Sequence, residues 1–189
     1  LYDLLDRLRR AHPAVEIESC ASGGGRVDLG IGARTDRFWT SDCNDALERQ
    51  SLQRGFSYLV PPELMGAHIG GEWAHTTARR QWFPFRAATA LFGHLGLEWN
   101  LLHASAEDRA AVAEAIARHQ QLRPLLPHGR TVRLDHPDCP ALAHGVVAHD
   151  RGEALYSYAQ QTDPDRTAPA QLRLVGLDTD RRSRVQRSV

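Results

Sequence analysis

Residues 15–55 read VEIESCASGGGRVDLGIGARTDRFWTSDCNDALERQSLQRG, and this stretch decides the fold class. Val15-Glu16-Ile17-Glu18-Ser19 alternates apolar and polar residues, the pattern of a short strand. Cys20-Ala21-Ser22-Gly23-Gly24-Gly25-Arg26 follows, a loop by composition. Phe38-Trp39-Thr40 forms a second short strand. After it, Ser41 or Asp42 can N-cap a helix that continues ALERQSLQRG to Gly55. Strand, loop and helix in alternation build a parallel sheet with helices on its faces, as in an α/β barrel or a doubly wound sheet.

The pattern extends in both directions. Leu1, Leu4, Leu5 and Leu8 recur at helical spacing, and His12-Pro13 stops that helix because the residue before proline is pushed out of the α region. Tyr58-Leu59-Val60 reads as a third short strand, ended by Pro61-Pro62. Trp82 to Phe92 is apolar and reads as helix, and Leu95 to Leu101 holds a last strand. Ser105 opens the amphipathic helix AEDRAAVAEAIARHQQLR, with Glu107 and Asp108 in its first turn and Pro124 and Pro127 beyond its end.

Past residue 130 the composition changes. Thr131–Leu134, Gly145–Ala148, Ala154–Tyr158 and Gln171–Leu174 are short alternating runs broken by Pro, Gly and Asp, the signature of a small antiparallel β-sandwich. The final DTDRRSRVQRSV looks unfinished. The expected organisation is the C-terminal part of a (β/α)8 TIM barrel over residues 1–127, then a β-sandwich domain, itself incomplete, over 128–189.

Composition bounds the function. The chain has 189 residues, 42% of them hydrophobic and 24% charged, enough to bury a core. Formal net charge is zero, which removes the clustered positive charge that nucleic acid or an anionic membrane surface requires. No apolar run reaches the roughly 20 residues that cross a bilayer. Three cysteines, Cys20, Cys43 and Cys139, make neither a disulfide framework nor a C-x-x-C zinc pair, so a reducing, cytoplasmic setting is expected. The first residue is Leu, which suggests an internal piece of a longer chain or a trimmed one. Every basic residue is Arg, read here as a bias of base composition.

In α/β barrels the active site lies at the C-terminal ends of the strands. Two loops sit at such ends, Cys20–Arg26 and Ser41–Asp45. Asp42, just after the strand FWT, stands where a glycosidase would need one of its two carboxylates. The glycines of the first loop let backbone N–H groups approach a sugar hydroxyl. Each feature also has a plain reading. A glycine triplet is an ordinary turn, an Asp before a helix is an N-cap, and Trp39 is a core residue as readily as a sugar platform.

Three blocks read together resemble glycoside hydrolase family 36, the α-galactosidases: Glu18 to Asp28 (ESCASGGGRVD), Trp39 to Arg49 (WTSDCNDALER), and Met65-Gly66-Ala67-His68. Their order and gaps match as well, over roughly residues 1–125, with the β-domain matching more loosely. The resemblance implies a retaining α-galactosidase that hydrolyses terminal α-galactosyl residues of substrates such as melibiose or raffinose, needs no metal or cofactor, and is often multimeric, so that the full-length protein is expected to be a homo-oligomer. It implies that Asp42 is the general acid/base. Cys20 and the backbone of Gly23 would bind galactose near its 2-hydroxyl. Arg26 and Trp39 are further substrate-side candidates, although Arg26, ion-paired with Asp28, also reads as shaping the loop. Asp45 and Arg49 would support the following helix, with a solvated helix face as the alternative for Arg49. The family nucleophile lies in a K-W-D-x-N block, which this sequence lacks, so the chain alone is expected to be inactive.

Competing readings are a truncated, non-catalytic carbohydrate-binding or regulatory fragment, and an unrelated α/β-barrel hydrolase such as an α-glucosidase. A metal site from His68, His75 and His94 with Glu72 is disfavoured because helical spacing does not bring them together. Trp73, Trp82 and Phe83 are expected in the core more than on a sugar-stacking surface.

Overall fold

A computed structural model describes residues 1–134, 141–162 and 172–187. The chain divides into two compact units, Leu1–Ala110 and Ala111–Val189. The first opens with helix α1 (Tyr2–Ala11), which ends as expected: the His12 N–H closes on the Leu8 carbonyl and Pro13 follows. Four parallel strands come next in simple spatial order, β1 (Glu18–Ser19), β2 (Arg37–Trp39), β3 (Met65–Gly70) and β4 (His94–Glu98). Between them lie α2 (Leu29–Gly32), α3 (Ala46–Phe56), a 3-10 turn (Pro62–Leu64) and α4 (Phe83–Ala90).

Strand side chains alternate in direction, and here the alternation separates core from site. Phe38 packs on Ile31, Phe56 and Met65, with Leu5, Val27, Val60 and Leu64 around them, so this face of the sheet is the helix-packed one. Phe38 meets Phe56 edge-on at 6.0 Å between ring centroids. Register then follows: Phe38 pairs with Met65 and Trp39 with Gly66. Trp39, His68 and Glu98 consequently share the opposite face, because His68 pairs with Gly96 and Gly70 with Glu98. Gly96 is required there, since a Cβ on it would collide with the His68 ring.

The expected strand at Tyr58–Val60 is not a strand. Tyr58, Leu59 and Val60 donate back to Gly55 and Phe56, a tapering end of α3, and the strand is Met65–Gly70 instead. The physical reason is burial: β3 lies between two strands with Ala67 and Ile69 fully buried, so it needs small residues and shows no polar alternation. The α3 cap also differs. Asp45, not Ser41 or Asp42, accepts from the Leu47 N–H. Helix α2 went unforeseen and is capped by Asp28, which accepts from Ile31 N–H at 2.9 Å. Trp73 and Trp82 are 62% and 70% exposed, against the expected core packing.

Helix α5 (Ala106–Leu122) begins as the sequence predicts: Ser105 Oγ accepts from Asp108 N–H at 3.0 Å, and the Asp108 carboxylate accepts from Ser105 N–H. In the second unit, β5 (Arg130–Leu134), β6 (Ala141–Val147) and β7 (Ala154–Gln160) form an antiparallel sheet with β6 central. Ala143, Val146 and Val147 of β6 are buried. Residues 172–174 are not in a strand, and Gln171 and Cys139 lie outside the described residues. Among the described residues no helix is long and apolar enough to cross a membrane.

Candidate active site

The loops that follow the four parallel strands gather at one end of the sheet. After β1, the glycine loop turns tightly, with Ala21 N–H donating to Gly23 O at 3.0 Å and Gly25 N–H to Ala21 O at 3.1 Å. Gly23 has φ +70°, and a Cβ there would lie 2.6 Å from Ser41 Cα and 2.8 Å from Asp42 N. Glycine is therefore needed twice over, for the left-handed backbone and for contact with the next loop. This contact sets the glycine loop directly against the peptide that carries Asp42. Cys20 is exposed, with a free thiol.

After β2, Thr40 Oγ1 reaches the Gly66 carbonyl at 3.4 Å, and Ser41 Oγ accepts from Cys43 N–H at 3.1 Å. Asp42 is exposed. Asp45 is fully buried and accepts four donors: Leu47 N–H at 2.8 Å, Gln81 Nε2 at 2.7 Å, Thr77 Oγ1 at 2.5 Å and Arg79 Nη1 at 2.6 Å. The last three come from the loop after β3. Thr76 of that loop donates to Cys43 Sγ at 3.2 Å, so the segment over residues 71–81 is pinned along the Asp42 loop.

Beneath the loops runs a polar row on the face opposite Phe38. The Trp39 ring stacks on His68, centroids 4.2 Å apart, and the Arg49 guanidinium sits 4.3 Å from the Trp39 centroid. His68 Nδ1 lies 3.4 Å from Glu98 Oε2, which also accepts from Asn44 Nδ2 at 3.1 Å. Arg49 is 2% exposed and donates through Nη2 to the Ser41 carbonyl at 2.9 Å. Burial pushes its pKa down to about 10, against the opposing pull of Cys43, Glu98 and Asp42, so it is a cation at neutral pH.

The structure thus brings Gly23, Trp39 and Asp42 together. Trp39 is 8% exposed, its indole covered by Arg49 and His68. Arg26 is exposed, and no Arg26–Asp28 ion pair is present among the described residues. Asp28 is instead held below the usual carboxylate range, first by the Ile31 N–H, despite some desolvation, with Tyr2 helping and Arg26 acting only at range. Arg49 is buried in place of the alternative solvated face. The three histidines of the disfavoured metal reading are not gathered: His68 faces Glu98, while Glu72 pairs with Arg80 at 2.5 Å. Among the described residues no group of three His, Cys, Asp or Glu side chains could hold a metal ion. Sequence reading missed Glu98 and Asn44. The only signal for Glu98 was its position at the end of the fourth strand.

Residues 1–129 match the Melibiase family. The chain is 46% identical over 185 residues to an α-galactosidase of Escherichia coli, covering 98% of this chain and 26% of that protein. It is 35% identical over 189 residues to a probable α-galactosidase G of Aspergillus terreus, again 26% of that protein. Among solved structures, the GH36 α-galactosidase AgaA of Geobacillus stearothermophilus superposes with a TM-score of 0.88 at 31% identity, over 95% of this chain and 25% of that one. An α-galactosidase from Lactobacillus brevis gives 0.88 at 35% identity, over 94% and 24%. The chain belongs to the melibiase family. It spans about a quarter of the length of the curated relatives it matches.

Proposed function

We propose that the protein carrying this segment is a retaining α-galactosidase and that Asp42 is its general acid/base. One observation carries the reading: an exposed carboxylate stands at the C-terminal end of a parallel strand, on a backbone that abuts the left-handed Gly23 of the neighbouring loop. Asp42 would protonate the departing glycosidic oxygen as a partner carboxylate attacks the anomeric carbon, then take a proton from the water that releases galactose. The partner must lie about 5–5.5 Å away in a retaining enzyme. In the resembling family it comes from the K-W-D block, so the present chain by itself would be inactive.

In this reading β1 to β4 are four consecutive strands of a (β/α)8 barrel over residues 1–127, and residues 128–189 belong to a β-sandwich. Cys20 and the Gly23 backbone would hold the 2-hydroxyl side of galactose, Arg26 would flank that loop, and Trp39 would back the pocket from beneath. Raffinose-type oligosaccharides are the proposed substrates, since forms of the Geobacillus enzyme were crystallised with raffinose and with stachyose. Two free thiols in the described residues suit a cytoplasmic protein.

The test is the full-length protein on p-nitrophenyl α-galactoside and melibiose, with and without azide. Asp42→Ala should lose melibiose turnover whether or not azide is present, because departure of the sugar still lacks its acid; on p-nitrophenyl α-galactoside, whose leaving group needs no proton, azide should raise the rate and give a galactosyl azide of retained configuration. An Asp42→Ala enzyme as fast as its parent on melibiose would refute the assignment.

A further inference from the structure

Resting on the reading of Asp42 as the acid/base, we infer that Arg49 is the positioning residue for it, clamping the peptide before Asp42 between strand and helix. Arg49 projects from the first turn of α3 and is 2% exposed. It grips the Asp42 loop at two places. Its guanidinium lies on Trp39, the last residue of β2, and its Nη2 donates to the carbonyl of Ser41, the residue before Asp42. The planar fork is suited to do both at once, as a flexible ammonium is not.

The environment is not one that stability alone favours. A buried guanidinium is costly, and Arg49 Nη1 is buried with no hydrogen-bond partner among the described residues. An apolar side chain of similar length could fill the same space without leaving that donor unmet. What the arginine adds is a fixed orientation for Ser41 and a cation held among Cys43, Glu98 and Asp42. Cys43 faces Arg49, and Glu98 is met by the titratable His68 and by the neutral amide of Asn44. Asp42, exposed at the loop tip, takes its direction from the backbone, and Arg49 holds that backbone.

Proton donation matters in proportion to how poor the leaving group is, and this separates positioning from scaffolding. The measurement is kcat/KM of the full-length enzyme on melibiose, whose leaving group is a sugar alcohol, and on p-nitrophenyl α-galactoside, whose leaving group departs with little help. Arg49→Met should lose about 100-fold on melibiose and no more than about 3-fold on the nitrophenyl substrate, since misplacing the donor costs only the step that needs it. Arg49→Lys, which keeps charge and stem but not the fork, should lose about 10-fold on melibiose with the same selectivity. It carries the test if Arg49→Met does not accumulate as folded protein. Equal losses on the two substrates, or none on either, would overturn the inference. Asp42→Asn is the control. If it too shows no selectivity for the poor leaving group, the acid/base assignment itself is wrong, whereas selectivity in Asp42→Asn without it in Arg49→Met and Arg49→Lys condemns the Arg49 role alone.

Discussion

Asp42 and Asp45 belong to one loop, yet they occupy opposite surroundings. Asp42 is exposed at the tip, while Asp45 is fully buried and accepts four donors, one for each of its lone-pair sites. A carboxyl group that must give up and regain a proton needs free lone pairs and access to substrate. A carboxyl group that holds backbone in place uses every acceptor it has and is shielded from water. The same side chain therefore serves chemistry at one position and architecture at the other, and the neighbourhood decides which. Arg49 stands between the two roles, buried like Asp45 but acting on the peptide of Asp42.

The contrast can be broken most sharply at Asp42. Asp42→Asn in the full-length enzyme should cut kcat/KM for melibiose by about 10³-fold, equivalent to about 4 kcal/mol of barrier, while its urea midpoint stays that of the parent. A fall in the midpoint as large as that of an Asp45 variant would erase the distinction. Asp45→Ala should do the reverse. It removes the α3 cap and strands Thr77 and Gln81, costing about 2–4 kcal/mol by urea unfolding, below the full range for a buried pair because Arg79 keeps solvent contact and its pairing with Glu48.

Gly23→Ala sharpens the link between the loops. Its strained φ and the clash with Ser41 should cost about 1–3 kcal/mol, and kcat on melibiose should drop because the Asp42 backbone is pushed. Unchanged thermal unfolding and kinetics in this variant would mean that the two loops are not in contact. Ser105→Ala has the smallest expected effect and touches none of the side chains named in the site. Loss of the α5 cap should cost about 1 kcal/mol in the urea midpoint, with both substrates turned over as before.

Much of this was legible in the residues themselves. The strand-loop-helix alternation over 15–55, the His12-Pro13 stop, the Ser105 cap and the alternating runs of β5 to β7 rest on local rules, and local rules can be read from neighbouring letters. Met65–Gly70 escaped because a strand buried on both faces carries no alternation, and MGAHIG has only one β-branched residue, Ile69, to announce one. Tyr58–Val60 looked more like a strand than β3 does, and it is the tail of a helix.

The site divides in the same way. Sequence alone determined that a glycine loop and an acidic loop follow consecutive strands, and the three motif blocks pointed to the family. Only the tertiary structure decided that Arg49 and Asp45 are buried, that Glu98 meets His68 and Asn44, and that the loop over residues 71–81 is tied to Asp45. Those contacts join residues some 30 to 54 positions apart. Their partners are set by strand register and by which face each strand turns to the helices, and that information exists only once the sheet has formed.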